Sequence, residues 1–479
     1  MMNFLFIMPE IIITTSMSVI LLIDLFLKKK NKIISYYLIQ FTLLFLIFFL
    51  IRNFEQITSL NHQDFSTDIF SIVFKTILLS GLIIIFYYSY NFLRYFKVYK
   101  TEYFLICLFG LLGMMIITSA QDLLILYLGI ELLSLSLYSI IAYNKDSAFS
   151  SEAAIKYYVL GAIASGFLLF GISLIYGLTG TISLNEVFQF IYDSGSRDAV
   201  QNVGYIFALT FIIVSLGFKF GAAPFHMWIP DVYHGSLLPT TLLLSSLPKI
   251  AVFIIFIKLL LQAFIGLFHF WADMILILAL ISIVIGNIIA IVQTNFKRML
   301  AYSTIANIGF ILIGISLGTQ ESFTAATFYT LSYVIMSMAI FGILTFITIN
   351  GKAVEEISDL SGLNENHPWQ AFLILLTMLS LAGIPPLIGF HAKLFLIQVL
   401  VNSSYFIIAL FAVIMTVIGA YYYLRVIKVI YFDKVSTKIN LIISSLIVSI
   451  NTLLLLYLGL FPYNLVNLSK FLMSGFFST

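Results

Sequence analysis

Charge is what this sequence has least of. Only 9% of its 479 residues are Asp, Glu, Lys or Arg, against about 25% in a soluble domain. With 61% hydrophobic residues and a mean hydropathy of +1.09, a water-soluble chain is excluded and a polytopic membrane protein is left. Cysteine is nearly absent. Cys107 stands alone, which excludes an intrachain disulfide and argues against an iron–sulfur cluster or zinc site on this chain. The six histidines, 62, 226, 234, 269, 367 and 391, show no zinc-type spacing. There is no Walker A motif, no glycine-rich dinucleotide fingerprint after a strand and no nucleophile–base arrangement. The net charge of +3 comes without a basic patch interleaved with aromatics, so no nucleic-acid partner is expected. Asp24, Asp122 and Asp273 fall near the ends of apolar runs, so no mid-membrane aspartate pair suited to sodium is present. The first residues, MMNFLFIMPEII, lack a basic n-region and a small-residue cleavage site, and read as a retained first helix.

Long apolar runs are abundant. A spanning helix needs about 20 apolar residues, and about fourteen segments qualify. They run roughly 4–27, 33–51, 69–92, 103–119, 122–143, 153–179, 203–234, 239–263, 272–293, 300–317, 323–349, 370–400, 404–431 and 439–461. The fold class is therefore all-α. Lys and Arg collect in cytoplasmic or matrix loops. With the N-terminus outside, fifteen of the 24 basic residues fall in inside loops: Lys28, Lys29, Lys30, Lys32, Arg94, Lys97, Lys100, Lys145, Lys297, Arg298, Lys352, Arg425, Lys428, Lys434 and Lys438. Arg52, Lys75, Arg197 and Lys470 fall outside. This asymmetry supports an even number of spans and both termini on the outer side.

The seventh and twelfth spans are long and interrupted, at Gly221–Pro224 and at Gly383–Pro386, with Pro385 also in the second break. Pro230, Gly235 and Pro239 interrupt the chain further after the first break. The fourth span enters from the inside and the ninth from the outside. Spans 4–8 and 9–13 thus read as two inverted five-helix repeats with discontinuous helices 7 and 12, an arrangement that in secondary transporters points to the transport site. The corresponding division is 1–102, three N-terminal helices; 103–268, the first repeat; 269–432, the second, inverted repeat; and 433–479, the last helix and tail.

Five lysines remain within spans: Lys156, Lys219, Lys249, Lys258 and Lys393. A charge at the bilayer centre costs about 2.5–3.5 kcal/mol on insertion scales. Each lysine therefore either snorkels to the surface or faces a polar path. Lys219 and Lys249 bracket the first break, and Lys249 follows the kinking Pro248. Trp228 and Tyr233 suit an interfacial belt, which favours a seventh span continuing past its break. Lys258 lies nearer the outer surface and is expected to snorkel. Glu131 sits roughly 14 Å into span 5, with Ser134 and Tyr138 on the same helical stripe. Its alternatives are a protonated carboxyl bonded to a neighbouring helix, or a partner for Lys219 in a proton switch. Glu152 and Lys156 open span 6 at i, i+4, either as an interfacial ion pair with a capping role or as a functional pair. His391 precedes Lys393 by two residues and so points to a different helix face; it can titrate near neutral pH or simply pack. Ser303, Thr304, Asn307, Ser332 and Ser337 suit a water chain and interhelical hydrogen bonding equally.

These residues sit in recognisable surroundings: YLGIELLSLSLY around Glu131, SSEAAIKYYVLGAIASGFLLFG around Lys156, GFKFGAAPFHMWIPDVYHGSLLP around Lys219, KRMLAYSTIANIGF from Lys297 and LSLAGIPPLIGFHAKLFL around Lys393. With them the chain resembles, over nearly its whole length, the antiporter-like proton-pumping subunits of respiratory NADH:ubiquinone oxidoreductase, complex I. The resemblance implies a fourteen-helix fold and a Glu131–Lys219 pair on spans 5 and 7. It makes Lys249 the bridging residue of span 8 and Lys393 the terminal lysine of span 12, where a sister branch carries Glu. Glu152 and Lys156 match a similar pair at the start of span 6. It further implies no cofactor on this chain, with FMN, iron–sulfur clusters and ubiquinone elsewhere in the complex. Its partners would be sister antiporter-like subunits, small hydrophobic subunits and lipids. Use of Phe, Ile, Lys and Asn suggests an AT-rich genome, and the PPLIGFHAK segment is close to plant-type sequences. The AT-rich usage suits mitochondrial and some bacterial genomes equally, and the plant-type segment favours the mitochondrial inner membrane over a bacterial plasma membrane. Two rival readings are a subunit of a multi-subunit sodium/proton antiporter, which shares much of the motif set, and a structural scaffold whose buried lysines serve assembly.

Overall fold

A computed structural model describes residues 4–28, 31–55, 65–194, 199–349, 351–434, 439–442 and 446–477. Lys29, Lys30, His62, Arg197 and Lys438 lie outside the described residues. Among the described residues, twelve helices are long and apolar enough to cross a membrane, and a bent pair near the C-terminus makes a thirteenth. Two shorter apolar helices, Pro368–Ala382 and Ile388–Asn402, flank the break expected in the twelfth span. The chain forms two compact units, Met1–Leu216 with Ala251–Leu267, and Gly217–Ile250 with Phe268–Thr479.

In the first unit the helices are α1 (Met8–Phe26), α2 (Ile33–Arg52), α3 (Ile69–Tyr95), α4 (Thr101–Ser119), α5 (Leu123–Ile141), α6 (Ala148–Thr179) and the short α7 (Leu184–Ser194). The unit also takes in α8 (Ala199–Phe220) as far as Leu216. The starts of α3, α5 and α6 carry the residue types that satisfy orphan N–H groups. Asp68 accepts from Ser71 N at 2.9 Å, Asp122 from Leu124 N at 2.6 Å, and Ser147 from Ser150 N at 3.3 Å. Asp24 is buried, and its carboxylate accepts from Lys32 at 2.7 Å, Ser35 at 2.6 Å and Thr101 at 2.7 Å, tying α1, α2 and α4 at one end. That hydrogen bond holds the Lys32 ammonium above its ordinary pKa.

Lys75, expected in an outside segment, is instead within α3 and wholly buried against Glu10. Lys258 does not snorkel. It is 1% exposed, opens a π-helical turn (Lys258–Ala263), and its ammonium donates to Ala120 O at 2.7 Å. Ala120 is the C-cap of α4, where carbonyls lack intrahelical partners and the helix dipole is negative, so a cation finds an acceptor inside the protein rather than at the surface.

The second unit holds α9 (Trp228–Gly235), α10 (Leu238–Ser245), the start of α11 (Leu247–Ile257), α12 (Phe268–Val292), α13 (Phe296–Ser316) and α14 (Gln320–Leu344). Beyond them follow α15 (Pro368–Ala382), α16 (Ile388–Asn402), α17 (Phe406–Phe432), α18 (Leu446–Leu460) and α19 (Tyr463–Phe477), the last bent 83° from α18. α13 and α14 are buried on nearly every side, as helices apolar all round must be. α17 turns Ile407, Leu410 and Val417 outward.

The eighth span is itself broken, at Ser246 (φ −116°, ψ −95°), two residues before Pro248. The eleventh span ends at Leu344, short of the expected 349. Ile347–Ile349 form instead the middle strand of a small antiparallel sheet with Lys352–Ala353 and Ile439–Leu441. Ile347, Thr348 and Ile349 are β-branched and prefer strand geometry, and Gly351 at φ +79° serves the turn. The last span accordingly begins at Leu446 rather than 439.

Candidate functional site

The two breaks are built alike. A helix leaves its last four carbonyls without intrahelical partners. At the end of α8, Gly221 takes φ +91°, which glycine tolerates, and Gly217 O accepts from Gly221 N (2.9 Å) and Ala222 N (2.8 Å) in the manner of a Schellman turn. At the end of α15, Gly383 takes φ +84°, and Leu379 O accepts from Ile384 N at 3.0 Å. Lysines occupy the carbonyls that remain. Lys249 Nζ donates to Phe220 O at 2.8 Å, with the Trp228 ring centroid 5.2 Å away. Lys393 Nζ donates to Leu381 O and Ala382 O, both at 3.0 Å, and lies 5.6 Å from the Phe310 ring centroid. Carbonyl dipoles at helix C-termini and aromatic faces both favour a cation. Each ammonium is therefore held by carbonyls and an aromatic face rather than by a carboxylate.

Trp228 is not interfacial. It is 2% exposed, and its indole N–H is taken by Phe218 O at 2.9 Å. Tyr233 is buried too, so neither residue marks a membrane surface. Pro224, Pro385 and Pro386 are exposed on this chain. Lys219 is buried at the last turn of α8, one residue before the helix ends.

Lys297, expected in a loop, is buried, and its ammonium donates to His234 O (2.7 Å) and Ser236 O (3.0 Å) at the end of α9. Arg425 likewise donates to Ile291 O at 2.7 Å at the end of α12. Cation on helix C-terminus is thus the recurrent device of this protein.

Between Lys249 and Lys393 the second unit carries a ladder of hydroxyls and amides. Ser245 and Ser337 are joined at 2.7 Å, Tyr333 OH donates to Thr304 Oγ1 at 2.9 Å, and Tyr329 OH donates to Asn307 Oδ1 at 2.8 Å. Tyr329 stacks on Phe310, the ring beside Lys393, with centroids 6.0 Å apart. Ser303 pairs with Tyr423 OH, while Ser332 turns back to Phe328 O. Of this ladder the sequence displays Ser303, Ser337, Thr304 and Asn307, but not Ser245. Tyr329, Tyr333 and Tyr423 are not distinguished by the sequence, because a tyrosine in an apolar helix reads as packing; the spacing of four residues between Tyr329 and Tyr333 on α14 is the available signal.

Glu131 is half-buried on α5 and falls in the first unit, whereas Lys219 falls in the second. Glu152 and Lys156 do meet, at 2.8 Å, with side chains 61% and 44% exposed. A pair so exposed is worth under about 1 kcal/mol. Glu152→Gln is therefore expected to shift the thermal midpoint of the detergent-purified protein by no more than a degree or two, about what such an energy allows in a chain of this size. A large loss would show that Glu152 has a buried partner. His391 is half-buried and in edge or tilted contact with Phe390 and Phe395.

Interrupted apolar helices with lysines seated on their breaks define the class: a multi-pass membrane protein of the antiporter-like type. Residues 120–419 match the family described as NADH:quinone oxidoreductase/Mrp antiporter, TM. The chain belongs to this family. It is 45% identical over 471 residues, 98% of each chain, to NADH-quinone oxidoreductase subunit N of Thioalkalivibrio sulfidiphilus. A chain of respiratory complex I from Thermus thermophilus superposes with a TM-score of 0.79 at 28% identity, covering 96% of this chain and 98% of that one. A chain of the Mrp complex from Dietzia superposes with a TM-score of 0.83 at 19% identity, covering 99% and 98%, and so shares the fold.

Proposed function

We propose that this chain is the subunit N of a respiratory complex I, a non-redox subunit that translocates protons while NADH:quinone electron transfer proceeds elsewhere in the complex. The observation that carries the reading is the hydrogen-bonded ladder Ser245–Ser337, Thr304–Tyr333, Asn307–Tyr329 between two buried lysines, Lys249 and Lys393, each seated on a helix break. Hydroxyl groups both donate and accept, so these pairs, bridged to one another and to the lysines by water, can pass a proton. In the cycle, Lys219 gains or loses a proton as Glu131 approaches or withdraws, Lys249 relays it, and Lys393 exchanges it with the outer side. Glu152, Lys156 and His391 are supporting residues, and Pro224, Pro385 and Pro386 keep the breaks open to partners.

Spans 4–8 and 9–13 form the inverted repeats of this scheme, and the like construction of the two breaks supports that reading. FMN, iron–sulfur clusters and ubiquinone belong to other subunits. The partners are sister antiporter-like subunits, small hydrophobic subunits and lipids. The membrane is an energy-coupling one with both termini on its outer side. The plant-type PPLIGFHAK segment favours a mitochondrial inner membrane, whereas the relative and the complex I chain described above are bacterial.

Purification from native membranes in mild detergent tests the assignment. The chain is expected to migrate with a large flavin- and iron–sulfur-containing assembly that reduces quinone with NADH. Migration with a few small hydrophobic partners and no redox centre would overturn it in favour of the antiporter reading.

A further inference from the structure

The lysines on the helix breaks face carbonyls, whereas the buried Lys75 faces a carboxylate. Lys75, 0% exposed, lies two turns into α3, with its ammonium 2.7 Å from Glu10 Oε1 near the start of α1, and the Glu10 side chain is 7% exposed. The Phe65 ring centroid is 5.3 Å from the same ammonium. Apart from their ion pair, neither Glu10 oxygen nor Lys75 Nζ has a hydrogen-bond partner among the described residues. Phe65 bridges to Ala120, whose carbonyl accepts from Lys258 at 2.7 Å. Lys75 and Asp68, the half-buried cap of α3, lie within electrostatic reach of the Lys258 ammonium. Ser66 N donates to Ser119 O at 2.9 Å, and Ser119 Oγ and Gln121 Oε1 are buried without hydrogen-bond partners among the described residues. The starts of α1 and α3, the end of α4 and the π-helical turn after α11 thus bring two ammonium groups and two carboxylates together at one end of the first unit.

Cohesion alone gives no reason for this. Helices tie together through apolar contact without desolvating charges, and replacing a buried pair by apolar groups is often neutral or stabilising. Titratable side chains within membrane spans mark ion pathways by default. A carboxylate in direct contact with an ammonium, unlike a carbonyl, can also take its proton.

We propose that Glu10 and Lys75 form a second proton-exchange centre, separate from Lys219, Lys249 and Lys393 and lying at the end of the first unit where Lys258 is also held. The proposal rests on the proton-translocation reading. The N–H bond of the Lys75 ammonium breaks as an O–H bond forms on Glu10, and the pair stays neutral as amine and carboxylic acid. The proton then leaves the Glu10 oxygen for bulk water, and the Lys75 amine accepts the next. By the positive-inside topology this end is the outer one, so the centre releases protons.

The test uses the assembled complex reconstituted in vesicles. If the wild-type assembly lacks NADH:quinone activity, the functional reading itself fails. If it pumps, the double variant Glu10→Gln/Lys75→Met removes the titration without stranding a charge. The expected result is an assembled complex whose proton translocation falls about tenfold or more, within what loss of a proton-transferring group allows. Pumping at the wild-type rate by the assembled double variant would overturn the proposal. Lys75→Arg keeps the charge and the ion pair but cannot release a proton. It too is expected to assemble and fail to pump, and normal pumping would overturn the proposal equally. If neither variant assembles, the pair is structural and the proposal is overturned.

Discussion

Lys249→Met is expected to leave a folded, assembled protein that no longer translocates protons. Methionine keeps most of the length and apolar stem of lysine, so the space beside Trp228 stays filled. The Phe220 carbonyl loses its donor, at a cost of about 1–3 kcal/mol, but the desolvation of a 1%-exposed ammonium is relieved at the same time. The two terms are of similar size, which is why assembly should survive. The functional term is not offset. Removing a positioned proton donor and acceptor slows the step it serves by about a hundredfold or more, and neither Ser245 nor Ser337 can hold a net proton in its place. Proton uptake by reconstituted vesicles, with the amount of assembled complex fixed by native electrophoresis, is the measurement. Wild-type pumping by assembled Lys249→Met would remove Lys249 from the path.

The second large effect is structural. Gly389→Ala should prevent assembly. A Cβ at Gly389 would stand 1.8 Å from Ser380 O, where α16 returns against α15. Both sides of that contact are backbone, so no side chain can turn away. Overpacking ordinarily costs about 1–3 kcal/mol, and more where relief requires moving helices. The helices in question carry Lys393 and its two acceptor carbonyls. The control is Gly166→Ala in α6, where a Cβ would meet nothing within 4 Å. There alanine gains about 0.8–1 kcal/mol of helix propensity, and accumulation should be unchanged. Equal yields of the two variants in membranes would show that the twelfth span is not packed as described.

The contrast between these residues explains what could be read from the chain alone. Gly389 looks like any glycine in an apolar helix, and its intolerance comes from Ser380, nine residues away and across a break. Lys75 and Lys297 read from the sequence as outside or loop residues and Lys258 as snorkelling, yet all three are buried. A lysine near the end of an apolar run has the same local signature whether it reaches water or a carbonyl. What decides is whether another helix ends beside it, as α4 does for Lys258 and α9 for Lys297.

From the amino-acid order alone came the membrane class, most of the apolar spans and the two interruptions. The reason is that a bilayer imposes a one-dimensional rule: every backbone polar group must be satisfied within its own helix, so apolar length and Gly-x-x-Pro breaks are visible in order along the chain. The amino-acid order also displayed Lys219, Lys249 and Lys393 as charges that demand an explanation. What answers those charges is set by the packing of the helices. The acceptors of Lys249 and Lys393, the tyrosines that complete the ladder, the Glu10–Lys75 pair and the small sheet at Ile347–Ile349 all join residues remote in sequence or depend on which helix terminus lies nearby. Hydrogen-bond partners of buried cations are chosen by proximity in space, within about 3 Å, and no pattern of composition or period encodes that distance.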